Sequence, residues 1–254
     1  MTSSTAKSLL VKVPAITAIF WLIKVLATTV GETFADFLND QLGLGLLNTS
    51  LIMGSATIGV LAIQFLVKRY VPVIYWLAIV LISVAGTLIT DNLTDNLGVE
   101  LWVSSLVFAA LLTITFAIWF RNERTLAMKS IVTKKREAFY WLAILFTFAL
   151  GTATGDLLAE SLGLGYANSA LIYGVALAFI YVLFKRKLVS EITAFWLAYI
   201  LTRPLGASIG DLLSQSPDDG GLGLGSTTTS YIFLALILAA VVYLTASKAD
   251  QIKA

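Results

Sequence analysis

The chain has 254 residues, 58% apolar and 13% charged, with a net charge of +2 and a mean hydropathy of +0.90. Soluble domains carry about 25% charged residues, so the composition excludes that class and predicts an integral membrane protein. Cysteine and histidine are absent, which leaves oxygen ligands, Lys and Arg as the only materials for a site.

The opening residues, MTSSTAKSLLVKVP, contain no apolar segment followed by a small-residue cleavage site, so no cleaved signal is expected. A spanning helix needs about 20 mainly apolar residues. Eight segments meet this, near 14–38, 46–67, 71–93, 101–120, 138–158, 167–184, 190–213 and 228–247. The odd-numbered segments carry polar residues toward their C-terminal ends, whereas the even-numbered ones are more uniformly apolar.

Lys and Arg fix the expected orientation. Lys7 and Lys12 precede the first segment, Lys68 and Arg69 follow the second, and Arg121, Arg124, Lys129, Lys134, Lys135 and Arg136 follow the fourth. Lys185, Arg186 and Lys187 follow the sixth, and Lys248 and Lys253 follow the eighth. The opposite loops, 39–45, 94–100, 159–166 and 214–227, hold acids and glycines but no Lys or Arg. Both termini are therefore expected on the cytoplasmic side. The basic runs read as topology signals, with the lipid bilayer as partner and no nucleic acid.

The odd segments are copies of one another. "FWLIKVLATTVGETFADFL" from Phe20 aligns without gaps with the stretches from Tyr75, Tyr140 and Phe195. Trp21, Trp76, Trp141 and Trp196 are each followed ten residues later by Gly31, Gly86, Gly151 and Gly206, and five further on by Asp36, Asp91, Asp156 and Asp211. A Leu-Gly turn follows in each copy, after an insertion with Pro217, Asp218 and Asp219 in the fourth. Each unit is thus a helix, a turn and a returning helix, and four such units are parallel in orientation. The expected organisation is one transmembrane domain, 1–247, of repeats 13–70, 71–124, 136–187 and 188–247, with tails 1–12 and 248–254.

These Trp residues and the Gly-to-Asp spacing resemble the bacterial membrane-protein family defined by four tandem copies of a "repeat of unknown function", each of two helices with a characteristic Trp. The resemblance covers roughly residues 13–247. It implies an all-α membrane fold with eight transmembrane helices; it implies no activity, which has to be argued from the site.

Lys24, Thr28, Glu32 and Asp36 recur every fourth residue and form one stripe on the first helix. Charges at bilayer depth are costly unless paired or hydrated, so the stripe is expected to face the bundle interior. The Lys24 slot holds Ile79, Ile144 and Tyr199 in the other copies, the Thr28 slot holds Ser83, Phe148 and Arg203, and the Glu32 slot holds Thr87, Thr152 and Ala207. Only the Asp is kept, so a site is expected between the first and seventh helices. The Asp residues fall near the outer boundary, at about 1.5 Å per residue from the helix starts. There they either cap the turn and the next helix, through Asn48, Thr49, Ser50, Asn168 or Ser169, or form a negative mouth with Asp40, Asp95 and Glu160.

The sequence predicts a cation pathway through Lys24, Thr28, Glu32, Asp36, Asp91, Asp156, Arg203 and Asp211. Glu32, Asp36, Asp156 and Asp211 are the expected oxygen ligands of a divalent cation, with Lys24 and Arg203 as counter-charges when it is empty. Gly151/Gly155 and Gly206/Gly210 have the spacing of close helix contacts. Pro204 is expected to kink its helix and free a carbonyl toward a cavity. The Trp residues read as interfacial or packing aromatics.

The predicted function is a secondary transporter of a hard cation, a Mn²⁺-type efflux coupled to protons, with no cofactor beyond a bound divalent cation. The outward direction rests on analogy with small carriers of metal-resistant bacteria. The alternatives are an organic-ion transporter anchored by Lys24 and Arg203, a cation channel, or a structural protein. No enzyme is expected: "TGD" at 154–156 and "IGD" at 209–211 resemble an intramembrane aspartyl protease element, but no partner motif accompanies them.

Overall fold

The computed structural model describes residues 11–252; Lys7 and Lys253 of the orientation argument lie outside them. Eight helices there are long and apolar enough to cross a membrane. They are α1 (Ala18–Asp36), α2 (Gly45–Leu66), α3 (Pro72–Asp91), α4 (Leu101–Glu123), α5 (Lys134–Asp156), α6 (Gly165–Lys185), α7 (Glu191–Ser214) and α8 (Ser226–Ser247). The charged stretch Lys134–Glu137, read from sequence as loop, is the first turn of α5. Thr133 accepts a hydrogen bond from the Arg136 amide there, so a polar cap lengthens the helix past its apolar part. Thr17 and Ser190 cap α1 and α7 in the same way, and Pro72 opens α3.

The odd helices form a closed inner ring, α1 to α3 to α5 to α7 and back to α1. Each even helix packs mainly on the inner helix of the next repeat: α2 on α3, α4 on α5, α6 on α7, and α8 on α1. The result is a pinwheel of four repeats. In the first three, the inner helix ends in a π turn, Phe37–Gln41, Asn92–Asn96 and Leu157–Ser161. A left-handed glycine follows, Gly43, Gly98 or Gly163, and Gly223 serves the fourth copy. That backbone conformation costs a glycine nothing, and the wide turn carries the chain sideways to its neighbour. The fourth copy has no π turn; its insertion forms a short 3₁₀ turn, Pro217–Asp219.

The repeated residues are the contacts that close the ring. A Cβ on Gly31 would lie 2.8 Å from Ser83 Cβ, on Gly86 2.7 Å from Phe148 Cβ, on Gly151 2.5 Å from Arg203 Cβ and on Gly206 2.6 Å from Thr28 Cβ. Each glycine therefore admits the next inner helix at backbone range, the device by which helices associate in lipid. The aromatic doublets do the same nearer the termini. Phe20 packs on Trp76 at 5.5 Å, Tyr75 on Trp141 at 5.5 Å, Tyr140 on Trp196 at 6.2 Å and Phe195 on Trp21 at 5.7 Å between ring centroids. Such pairs contribute about 0.5–1.5 kcal/mol each beyond area burial.

The end of the bundle that holds both termini is knitted shut. Backbone bonds join Tyr70 to Val11, Lys12 to Ile131 and Ala15 to Asp250. Lys12, expected as a topology charge, is instead buried. Its ammonium lies 2.5 Å from Glu137 and donates to the Gln64 and Phe65 carbonyls at the end of α2, while the Gln64 amide donates to Glu137 at 3.1 Å. The Tyr70 hydroxyl donates to Asp250 beside this pair. Burial pushes the Asp250 carboxyl up from its ordinary value and the Tyr70 phenol well above the usual range.

Candidate functional site

The ring places equivalent positions of the four copies in layers along one axis. Nearest the termini is the aromatic layer, crossed by a hydrogen bond between the Tyr75 and Tyr140 hydroxyls. The next layer holds Lys24, wholly buried. Its Nζ has no hydrogen-bond partner among the described residues and sits 4.3 Å from the Phe148 ring and 4.2 Å from the Tyr199 ring. An ammonium is attracted to ring faces, but nothing here neutralises it.

Arg203 starts in the Thr28 layer and reaches toward the acidic end. Its Nη2 donates to Glu32 at 2.9 Å, to Thr152 at 2.6 Å and to Thr87, while Nη1 donates to the Thr28 carbonyl at 3.1 Å. Glu32, Thr87 and Thr152 are the same slot in three copies. The fourth copy has Ala207 there, and the Arg203 guanidinium bonds the other three members of the slot. Thr28 donates to the Val25 carbonyl at 2.7 Å and to the Thr202 carbonyl at 3.2 Å, binding α1 to α7.

Beyond Arg203 lie the acids. Glu32, Asp156 and Asp211 each bring a carboxylate oxygen within 4.8 Å of the other two. Three helices, α1, α5 and α7, supply them, so the cluster does not exist before the ring closes. Asp36 and Asp91 are half-buried and stand outside this trio. Asp40, Asp95 and Glu160 are exposed, so the acids grade from exposed to buried toward Glu32.

The turn-capping role allowed to the Asp residues is not what the structure shows. Among the described residues, Asp36, Asp91 and Asp156 make no side-chain cap where their helices pass into π turns. Asn48 and Ser50 are satisfied by the Leu44 and Leu46 carbonyls, and Asn92 donates to Ser50 at 2.8 Å. Asn168 likewise donates to the Leu164 carbonyl.

Sequence centred the site between α1 and α7 and also drew in Asp91 of α3 and Asp156 of α5; in the structure Asp156 joins the trio, Asp91 stands outside it, and Thr87 and Thr152 accept from Arg203. It paired Lys24 with Arg203 as counter-charges, whereas only Arg203 meets a carboxylate. Pro204 lies inside α7, buried against Gly151 and Gly155. The Lys12–Glu137 lock was missed because a Lys before a first span and a Glu in a basic run are both ordinary signals of a membrane boundary.

No curated protein and no solved structure matches the chain significantly. A family model described as "Repeat of Unknown Function (DUF347)" matches residues 19–70, 74–125, 139–187 and 194–250. Its four matches coincide with the four helix pairs of the pinwheel, and the chain, all-helical with eight helices fit to cross a membrane, belongs to this family.

Proposed function

We propose that this protein is a secondary carrier for a hard divalent cation of the Mn²⁺ type, moved out across a bacterial inner membrane in exchange for protons. The observation that carries this reading is the trio Glu32, Asp156 and Asp211, three carboxylates within 4.8 Å from three different helices. Such acids repel one another in a low dielectric, and a cation with a preference for oxygen relieves that repulsion. Because the ligands must be deprotonated to bind it, cation and protons compete for the same oxygens, which is the elementary form of antiport.

Arg203 supports a carrier over an open pore. It lies between the trio and the rest of the axis, and Lys24 and the Tyr75–Tyr140 pair fill the layers below it. Its Nη2 holds Glu32, so a cation entering the trio competes with the guanidinium for that carboxylate. Its terminal nitrogens are already engaged by Glu32, Thr87, Thr152 and the Thr28 carbonyl, which disfavours an organic anion anchored there. The basic end, with both termini, is assigned to the cytoplasm by the positive-inside rule. The acid mouth then opens outward.

The test is Mn²⁺ flux into proteoliposomes under an imposed pH gradient, for wild type and Glu32→Gln. Saturable flux that the gradient drives and the substitution abolishes is expected. Absence of saturable Mn²⁺, Mg²⁺ or Ca²⁺ flux at every gradient would overturn the carrier.

A further inference from the structure

The pinwheel has four seams, each where the outer helix of one repeat faces the inner helix two places on. At three of them the terminal half is sealed by protein. The α4 residue Trp119 is buried against Trp196 with Phe116 beside it. The corresponding residues are Val241 and Leu244 on α8, and Leu61 and Gln64 on α2; of these Val241, Leu244 and Gln64 are buried and Leu61 packs on the core. At the fourth seam the equivalents are Tyr181 and Phe184 of α6, and they are 60% and 40% exposed. Trp21 behind them is only half-buried, although Trp76, Trp141 and Trp196 are buried. The space left between α6, α7 and α1 is a groove of about 590 Å³.

We infer that this groove is a binding site for one phospholipid of the leaflet on the terminal side, with an acyl chain in the groove and a zwitterionic, ethanolamine-type headgroup at its mouth. Three features match that occupant. The volume lies within the about 300–1,000 Å³ of ligand sites. Along α7 the groove runs from Glu191 to Thr202. Eleven residues at 1.5 Å give about 16 Å, half of the about 30 Å hydrocarbon thickness. It therefore reaches from the membrane boundary to the midplane, the depth of one leaflet.

The third feature is charge. The inner walls are apolar and aromatic, and the ionic groups stand only at the boundary end. Glu191, 3.9 Å from Lys129, is the acceptor offered to a headgroup ammonium, and Lys129 and Lys185, the latter 5.4 Å from the Tyr181 ring, are the cations offered to its phosphate. A free lipophilic cation would find Glu191 and the rings but also two lysines, which disfavours it. The groove lies between α6 and α1 over α7, so its occupant touches both helices that hold Glu32 and Arg203.

Native mass spectrometry of the full chain, extracted from vesicles of phosphatidylethanolamine and phosphatidylglycerol, tests this directly. Wild type should retain one phosphatidylethanolamine per chain. Ala198→Phe and, independently, Ala18→Leu fill the groove from α7 and α1 without touching the ring interior. Both should weaken retention about tenfold, close to 1.4 kcal/mol, and remove the rise in melting temperature on adding that lipid to the detergent-purified protein. Equal retention by wild type and both variants would overturn the site. So would a wild type that carries no lipid, one that retains phosphatidylglycerol equally well, or one whose groove takes tetraphenylphosphonium in preference to lipid.

Discussion

Gly151 and Arg203 occupy one contact: a Cβ on the glycine would stand 2.5 Å from Arg203 Cβ and 3.0 Å from Pro204 Cδ. The arginine reaches Glu32, Thr87 and Thr152 because α5 and α7 touch at a residue without a side chain. Gly151→Ala should therefore destabilise by about 1–3 kcal/mol through overpacking and pull Arg203 off Glu32. Gly155→Ala, whose Cβ would meet Ala207 at an ordinary 3.7 Å, should leave the melting temperature in detergent within a degree or two of wild type, on the scale of small surface changes. Equal effects of the two changes would refute the contact.

Glu32 and Arg203 should behave as a coupled pair. Removing one partner of a buried ion pair leaves an uncompensated charge and costs about 3–5 kcal/mol. Arg203→Met alone should therefore be severely destabilising. Combined with Glu32→Gln it should recover part of that loss, with a coupling energy of about 0.5–3 kcal/mol in a double-mutant cycle of thermal melts. Additive losses would show that the pair does not hold the ring.

Lys24 is expensive where it stands, wholly buried and without an acceptor. Leaving a buried polar group unsatisfied costs about 1–3 kcal/mol, so Lys24→Met, of similar length, should raise the melting temperature. If the same variant loses cation flux in proteoliposomes, the amine is kept for function at the expense of stability. A less stable Lys24→Met would mean that the two ring faces stabilise the amine more than burial penalises it.

The tail carboxylate of Asp250 should impose a pH slope on stability. Burial raises its carboxyl above the ordinary value, outweighing the hydrogen bond from Tyr70. The folded state then binds the proton more tightly than the unfolded chain. Its stabilising contribution is full below the ordinary carboxylate value and declines as pH climbs through the raised one. Asp250→Asn, which still accepts from Tyr70, should flatten this part of the profile and be no less stable than wild type at pH 7. A steeper profile in the variant, followed by circular dichroism melts from pH 4 to 8, would reverse the assignment.

How much of this was legible before the fold was known differs from residue to residue. The four Trp-to-Gly-to-Asp spacings were plain, because a repeat is a property of one dimension. Their meaning was not: only Gly151 and Gly206 carry a small-residue contact spacing in the sequence, yet Gly31, Gly86, Gly151 and Gly206 each lie beneath the side chain seven positions after the next Trp. The stripe Lys24, Thr28, Glu32 and Asp36 was correctly read as facing inward, since charge in hydrocarbon has nowhere else to go. Of the four acids the sequence groups as ligands, Glu32, Asp156 and Asp211 meet in the trio, whereas Asp36, one turn beyond Glu32 on the same helix, stands outside it.

The sequence by itself determined that the chain crosses a membrane eight times, in four copies of one helix pair, with the acids gathered at one end and the basic loops at the other. Hydropathy, charge and periodicity act locally along the chain, and local terms are what a sequence displays. Only the tertiary structure decided that the odd helices close into a ring, that Arg203 meets Glu32, Thr87 and Thr152, and that one seam of four stays open. Those outcomes depend on which side chains meet across helices more than fifty residues apart, and such meetings are fixed by packing in three dimensions.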